Sequence, residues 1–214
     1  MSGKNQPFPV EEFSEIEDLK SALRAAIRET RAQRSERLRK EAGQDIATTV
    51  LTIPAVKEAR VVAAYTSRAN EPSTYALLEY LKALGKTVLL PVLGAGLQRD
   101  WAEFISVEDL QQRAPGRPSE PSSPTLGPEA LAAADAIIVP ALAIDSTGTR
   151  LGQGGGWYDR ALLHAREDAL TIGVIFPEEF YPATSHQLPR EDHDLPIDAV
   201  ATTTSWRMLP SEGL

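Results

Sequence analysis

The chain has 214 residues, 42% of them hydrophobic and 24% charged, and its formal net charge is −8. This length and composition are typical of one α/β domain with a buried core. The acidic balance argues against nucleic-acid binding, which needs clustered Lys and Arg. The lack of cysteine excludes thiol catalysis, disulfides and thiolate metal sites. Because no apolar leader or bilayer-length apolar run occurs, we expect a cytoplasmic protein without a membrane partner.

A basic helix is the first predicted element. Residues 1–13 are predicted as a flexible lead, and 14–214 as a single α/β domain. Ser14 and Glu17 have the spacing of a capping box, so the helix is predicted to begin there. A buried stripe at helical spacing follows: Ile16, Leu19, Leu23 and Ile27.

One face of this helix is cationic. Lys20, Arg24, Arg28 and Arg31 share it, and the basic run continues through Arg34, Arg37, Arg39 and Lys40. Two interpretations are open. The face is a solvated surface with Glu partners, or it supplies cations to a polyphosphate in an otherwise acidic protein.

The rest of the chain alternates between helices and strands. Helices are predicted over 43–58, 73–85, 157–166 and the first part of 130–144. Strands are predicted over 60–67, 86–93, 97–107, the second part of 130–144, 170–176 and 199–204. The proline-rich segment 113–128 is predicted to be a surface loop. The alternation favours an open, mainly parallel twisted sheet with helices on both faces, a Rossmann-like three-layer α/β fold with an N-terminal helical extension.

Ligands of such sheets bind outside the carboxyl ends of the strands. Three predicted loops lie there: 66–72, 145–156 and 176–196. The second contains RLGQGGGWYDR, residues 150–160, with four glycines in positions 152 to 156. Because glycine runs lose much entropy on folding, they indicate positive φ or a close approach of the backbone, and phosphate is the usual ligand. The spacing matches neither a Walker A loop nor a dinucleotide fingerprint.

Several acidic and aromatic residues near these loops have both a structural and a functional interpretation. Asp159 and Asp194 are candidate Mg²⁺ ligands, because Mg²⁺ is usually held by one or two carboxylates plus phosphate oxygens. Glu71 either stabilises a helix start or accepts paired N–H donors from a heterocycle. Trp157 and Tyr158 are either core residues or stacking surfaces.

Segments spread from Leu19 to Thr204 resemble the 5-formyltetrahydrofolate cyclo-ligases, also called 5,10-methenyltetrahydrofolate synthetases. They are LKSALR, AYTSRANEPST, GKTVLLP, GRPSEP, IIVPALAIDSTGTRLGQGGGWYDRAL and LPREDHDLPIDAV. The resemblance implies conversion of 5-formyltetrahydrofolate to 5,10-methenyltetrahydrofolate with ATP and Mg²⁺, giving ADP and phosphate. Apart from the resemblance, we expect a monomer whose partners are small molecules, with no nucleic acid and no membrane.

The resemblance assigns roles to particular positions. It implies an ATP site formed by Lys20, Arg24, Arg150, Leu151, Gly152, Gln153, Gly154, Gly155, Gly156, Trp157 and Tyr158. It implies a folate site formed by Thr66, Glu71, Gln153, Gly154, Gly155, Gly156 and Trp157. Asp159 and Asp194 would hold Mg²⁺, and Arg150 and Asp159 would be catalytic.

The sequence departs from the family at positions 153 and 157. Gln153 stands where an aromatic or basic residue is more frequent, and Trp157 where Tyr or Phe is usual. The segment FPEEFY, 176–181, carries glutamates where many relatives have a glutamine. Two alternatives therefore stay open beside the cyclo-ligase: a phospho-sugar isomerase-like enzyme on a similar sheet, and a folate- or nucleotide-binding module without turnover.

Overall fold

The computed structural model describes residues 15–93 and 98–210. The predicted flexible lead and Ser14 of the predicted capping box lie outside these residues. Six α-helices occur within them: α1 Ile16–Ala32, α2 Glu36–Leu51, α3 Pro54–Glu58, α4 Tyr75–Ala83, α5 Trp157–Ala161 and α6 Ala183–His186. Ten strands occur: β1 Val61–Ala63, β2 Thr87–Leu93, β3 Arg99–Glu103, β4 Ala136–Pro140, β5 Ala143–Asp145, β6 Arg150–Leu151, β7 Leu170–Val174, β8 Phe180–Tyr181, β9 Ala199–Ala201 and β10 Trp206–Met208.

Seven strands form the main sheet, in the order β10-β9-β7-β4-β1-β2-β3. The five inner strands are parallel, and the edge strands β3 and β10 pair antiparallel. The mainly parallel α/β sheet is therefore confirmed. With antiparallel edges and a second small sheet, the Rossmann-like detail stays a prediction.

Side chains of the inner strands alternate between two hydrophobic clusters, as a sheet with helices on both faces requires. Val88 and Leu90 of β2 pack with α2, α3 and α4, whereas Leu89 packs on the opposite face. Ile137 and Val139 of β4 also lie on that opposite face, against α5 and the 3-10 segments 128–133 and 162–164. Both faces are thus covered, which leaves the strand ends for a ligand.

The N-terminal helix α1 packs on a separate three-stranded sheet, with the order β6-β5-β8. Leu23 and Ile27 of α1 are fully buried against Leu142, Leu151 and Tyr181. The predicted buried stripe is therefore confirmed for these two residues but is wrong for Ile16, which is 48% exposed at the first turn of the helix. The small sheet itself was not predicted, because strands of two or three residues are too short to show a hydrophobic period.

Several predicted boundaries were wrong. The basic run is split between two helices: α1 ends at Ala32, and the Ser35 hydroxyl accepts a hydrogen bond from the Leu38 backbone N–H at the start of α2. The helix predicted over 157–166 is the short α5 and a 3-10 turn, and the strand predicted over 199–204 ends at Ala201. The predicted surface loop 113–128 lacks regular structure apart from isolated bridges and its last residue, Pro128, which begins the 3-10 segment 128–133.

No helix within 15–93 and 98–210 is long and apolar enough to cross a membrane.

Candidate active site

A cavity of about 570 Å³ lies at the carboxyl ends of β1, β2 and β4. From the neighbouring strands β1 and β4 the chain continues in opposite directions across the sheet, which is where open α/β sheets bind ligands. The cavity brings together the predicted site residues, which come from four segments: Lys20, Arg24, Thr66, Glu71, Arg150, Leu151, Gly152, Gln153, Gly154, Gly155, Gly156, Trp157, Tyr158, Asp159 and Asp194.

The glycine loop approaches α1 closely. Gly152 O accepts a hydrogen bond from Arg24 Nε at 3.1 Å, and Gln153 O accepts one from Arg28 Nη2 at 2.9 Å. Gly154 has a backbone φ of 96°, which residues with a Cβ atom rarely adopt. Since α5 has five residues, its dipole is small, and the positive charge of this loop comes from arginines.

Arg150 and Asp159 form an ion pair in the wall of the cavity. Arg150 Nη2 lies 2.7 Å from Asp159 Oδ1, and the two side chains are 4% and 17% exposed. Arg150 Nη1 also donates to Pro140 O at 3.3 Å, whereas the buried Nε has no partner among the described residues. The two predicted catalytic residues therefore contact each other, and the carboxylate orients the guanidinium.

Lys20 joins α1 to the loop that carries Asp194. Its ammonium lies 2.5 Å from both Asp194 Oδ2 and Glu191 Oε2, and its side chain is 4% exposed. Burial alone raises the pKa of Asp194, but hydrogen bonds from Lys20 and the Glu191 backbone N–H lower it overall. The basic face of α1 is thus not a solvated surface at this end.

The predicted magnesium ligands Asp159 and Asp194 line the same cavity, but each carboxylate faces a cation. Within 15–93 and 98–210, no group of three or more His, Asp or Glu side chains is arranged to hold a metal. This donor set does not form an all-protein cage. It fits an ion that takes one or two carboxylates and completes its shell with phosphate and water.

Glu71 is 7% exposed and accepts hydrogen bonds through both carboxylate oxygens. Glu71 Oε1 accepts from Gln153 Nε2 at 2.7 Å, and Oε2 accepts from the Arg68 backbone N–H at 2.8 Å. Gln153 in turn accepts two hydrogen bonds from Arg28 through its side-chain oxygen. The unusual Gln153 therefore occupies one carboxylate oxygen, and a heterocycle that binds Glu71 must displace or share it.

The two aromatic residues after the glycines are partly structural. Trp157 packs edge-on against Trp101, with ring centroids 5.3 Å apart, and against Tyr158 at 4.8 Å. Both Trp157 and Tyr158 also line the cavity. Tyr65, which was not predicted, also lines the cavity and belongs to the hydrophobic cluster against which Tyr158 packs. It is 4% exposed, and its hydroxyl has no partner among the residues described.

Other cavity residues were missed by sequence reasoning. Glu191 and His193 lie in the segment that contains Asp194, and Arg68 lies between Thr66 and Glu71, so proximity in sequence was a usable signal. Arg117 lies in the proline-rich segment, which carries no such signal. All four line the cavity.

These features define an α/β protein with a cavity at its strand ends, lined by paired cations and carboxylates and by a glycine-rich loop. A statistical model of the 5-formyltetrahydrofolate cyclo-ligase family matches residues 16–203. The chain belongs to this family, and its members are enzymes that act on small molecules.

Individual relatives agree. The 5-formyltetrahydrofolate cyclo-ligase of Mycolicibacterium smegmatis is 38% identical over 67% of this chain and 73% of its own. The enzyme of the same name from Escherichia coli is 32% identical over 82% of this chain and 96% of its own. The structure of 5,10-methenyltetrahydrofolate synthetase from Aquifex aeolicus superimposes with a TM-score of 0.74 at 29% identity, and covers 92% of this chain and 96% of that one.

Proposed function

We propose that this protein converts 5-formyltetrahydrofolate to 5,10-methenyltetrahydrofolate with ATP and Mg²⁺, releasing ADP and phosphate. The observation that carries the proposal is the single cavity, in which Lys20, the glycine loop, Glu71 and both candidate metal ligands meet. Membership of the family supports the same reaction.

The chemistry needs positioning rather than a protein nucleophile. A formamide carbonyl is a poor electrophile because its nitrogen donates electrons into it. Transfer of the γ-phosphoryl group to the formyl oxygen makes that oxygen a leaving group. The N10 amine of the same folate then attacks the formyl carbon, and its own skeleton holds it at high effective concentration. Loss of the N10 proton and of phosphate leaves the methenyl bridge.

The cations of the cavity are suited to the phosphate side of this reaction. Lys20, Arg24 and Arg150 would bind and orient the triphosphate, and the glycine loop would let its backbone approach the nucleotide. Asp159 and Asp194 would hold Mg²⁺ together with phosphate oxygens. The ion, when bound, neutralises charge on the transferring phosphoryl group. Lys20 and Arg150 are paired with the same carboxylates that would hold Mg²⁺. When nucleotide and metal bind together, the two cations would therefore turn to the phosphates and the two carboxylates to the metal.

The folate side would be formed by Thr66, Glu71 and the glycine loop. The Glu71 carboxylate would accept hydrogen bonds from the amino group and ring N–H of the pterin. Trp157 would offer an aromatic surface next to it, held by its packing on Trp101.

The phospho-sugar isomerase alternative is weaker. Such an enzyme needs a general base with a pKa near the working pH. Hydrogen bonds from Lys20 and the Glu191 N–H lower the pKa of Asp194, one of the two candidate bases, although burial opposes them. A binding module without turnover stays the second candidate, because the Gln153 side-chain amide already donates a hydrogen bond to Glu71 Oε1.

One assay separates these functions. Purified protein mixed with 5-formyltetrahydrofolate, ATP and Mg²⁺ should develop the ultraviolet absorption band of the methenyl product, with one ADP per product. Turnover of a phospho-sugar without ATP would favour the isomerase. Calorimetric binding of folate and ATP without ADP release would favour the binding module.

We also propose that the protein is a cytoplasmic monomer in which 14–214 form one domain. Equilibrium sedimentation tests the monomer, and limited proteolysis tests the single domain.

A further inference from the structure

Three arginines on the wall of the cavity make no ion pair within the described residues, and one of them, Arg160, instead donates a hydrogen bond to Gly156 O at 3.2 Å. Arg24 and Arg150 each pair with a carboxylate, at 2.6 Å from Glu17 and 2.7 Å from Asp159. By contrast, the guanidinium groups of Arg68 and Arg117 make no ion pair or hydrogen bond within residues 15–93 and 98–210. Both arginines are exposed and line the cavity, so they lie at its mouth.

The two loops that carry these arginines are joined. The Thr66 hydroxyl donates a hydrogen bond to Ser119 O at 2.6 Å, so Arg68 and Arg117 each lie two residues from this contact. Glu71 accepts the Arg68 backbone N–H at 2.8 Å and does not neutralise its side chain. In the part of the chain that the structure describes, two guanidinium groups without a partner therefore belong to residues close to one contact between loops.

Two positive charges close together repel each other, and an anion bound between them removes this cost. Repulsion from neighbouring arginines is already visible at Arg28. Burial, followed by the charges of Arg24 and Arg68, lowers the pKa of Arg28. Among the carboxylates of the cavity, Glu71 offsets part of this charge at Arg28, whereas Asp159, Asp194 and Glu120 are paired with other cations.

We propose that Arg68 and Arg117 bind the carboxylates of the folate's glutamate tail at the mouth of the cavity. This inference rests on the proposed function. The pterin binds in the buried part, where Thr66 and Glu71 are 3% and 7% exposed, so the charged tail at the opposite end of the molecule points to the mouth. Guanidinium groups match carboxylates geometrically, and the second arginine serves a further glutamate of a longer tail.

The test compares the monoglutamate and triglutamate forms of 5-formyltetrahydrofolate. In Arg68→Gln and Arg117→Gln, KM for the triglutamate should rise about tenfold or more, as expected for a lost charge-assisted contact. The kcat and KM for ATP should stay near wild type. Arg68→Lys should recover part of the loss, and added salt should weaken wild-type binding more than that of the double variant.

A matched control is Arg37→Gln. Arg37 is an exposed arginine on α2 that pairs with Glu41 outside the cavity, and its replacement should change neither KM. Unchanged KM for both folates in the arginine variants would overturn the inference and leave the proposed function intact. A rise in KM for ATP alone would assign the arginines to phosphate and also overturn it.

Failure of the proposed function is recognised separately. If wild-type protein does not turn over, equilibrium binding of the triglutamate is measured by fluorescence quenching. Weaker binding by Arg68→Gln and Arg117→Gln than by wild type would then still support the tail site. Equal binding by all, or no binding by wild type, would overturn it.

Discussion

The Arg31–Glu179 pair anchors α1, the helix that carries Lys20 and Arg24, to the segment before β8. The side chains are 1% and 0% exposed, and both bonds, Nε to Oε1 and Nη2 to Oε2, are 2.7 Å long. Although burial alone lowers the pKa of Arg31, the charge and hydrogen bonds of Glu179 raise it overall. We predict that Glu179→Ala strongly destabilises the protein, because it leaves a buried guanidinium without a counter-charge.

The structure sets the magnitude. Breaking a buried pair by removing one partner costs about 3–5 kcal/mol. Glu179 also accepts the Phe176 backbone N–H at 2.9 Å, which would lose its partner. For a domain of this size each kcal/mol lowers Tm by about 2–4 °C, so Tm should fall by about 6–20 °C. Glu179→Gln keeps the shape and one acceptor, and should cost about 2 kcal/mol.

Urea unfolding followed by circular dichroism measures this change. The control is Glu41→Ala, which breaks the Arg37–Glu41 pair, whose side chains are 74% and 54% exposed, and should cost less than about 0.5 kcal/mol. The double variant Arg31→Met/Glu179→Leu should regain most of the loss, since hydrophobic replacement of a buried pair is often neutral. A cost below about 1 kcal/mol for Glu179→Ala, with an unchanged m-value, would refute the reasoning.

Three further predictions concern the site and acid stability. Asp159→Asn should lower kcat about 100-fold or more with a cooperative unfolding transition retained; near-normal kcat would remove Asp159 from the catalytic group. Arg150→Ala should raise KM for ATP about tenfold or more, and unchanged ATP kinetics would contradict a phosphate contact. The backbone N–H of Val61 is the main cause that lowers the pKa of Asp135 below its ordinary value of 3.8. The ionised carboxylate therefore stabilises the fold above pH 3.8, and this stabilisation is lost as the pH falls through the lower pKa of the folded state. Asp135→Asn should therefore be less stable at pH 7 and lose less stability between about pH 4 and 2, as urea unfolding at both pH values measures; parallel losses would exclude this role.

The local pattern of the sequence was sufficient for the fold class and for a large part of the candidate site. Alternating strands and helices, with apolar runs at the inner strands, predicted the mainly parallel sheet. The crevice rule then placed the glycine loop, Glu71 and Asp194 at one edge, and these residues do line one cavity. Such features are readable because they depend on periodicity and on residue type within a few positions.

Other features depend on packing between distant segments. Arg31 and Glu179 are separated by 148 positions, and nothing local distinguishes Arg31 from the other arginines of α1. The break between α1 and α2 was missed because the charge run continues through it, although Ser35 is a usable N-cap signal. The contact between Thr66 and Ser119 likewise arises only when the proline-rich segment crosses the strand ends.

By itself the sequence determined the sheet, the helix stripes and the chemical character of the site, because these follow from the period of apolar residues and from residue types at fixed spacing. Only the tertiary structure decided which charges neutralise each other. It paired Lys20 with Asp194 and Arg150 with Asp159, and among the described residues it gave the guanidinium groups of Arg68 and Arg117 no partner. The physical reason is that an ion pair depends on distance and burial in three dimensions, which neighbouring residues in a chain do not specify.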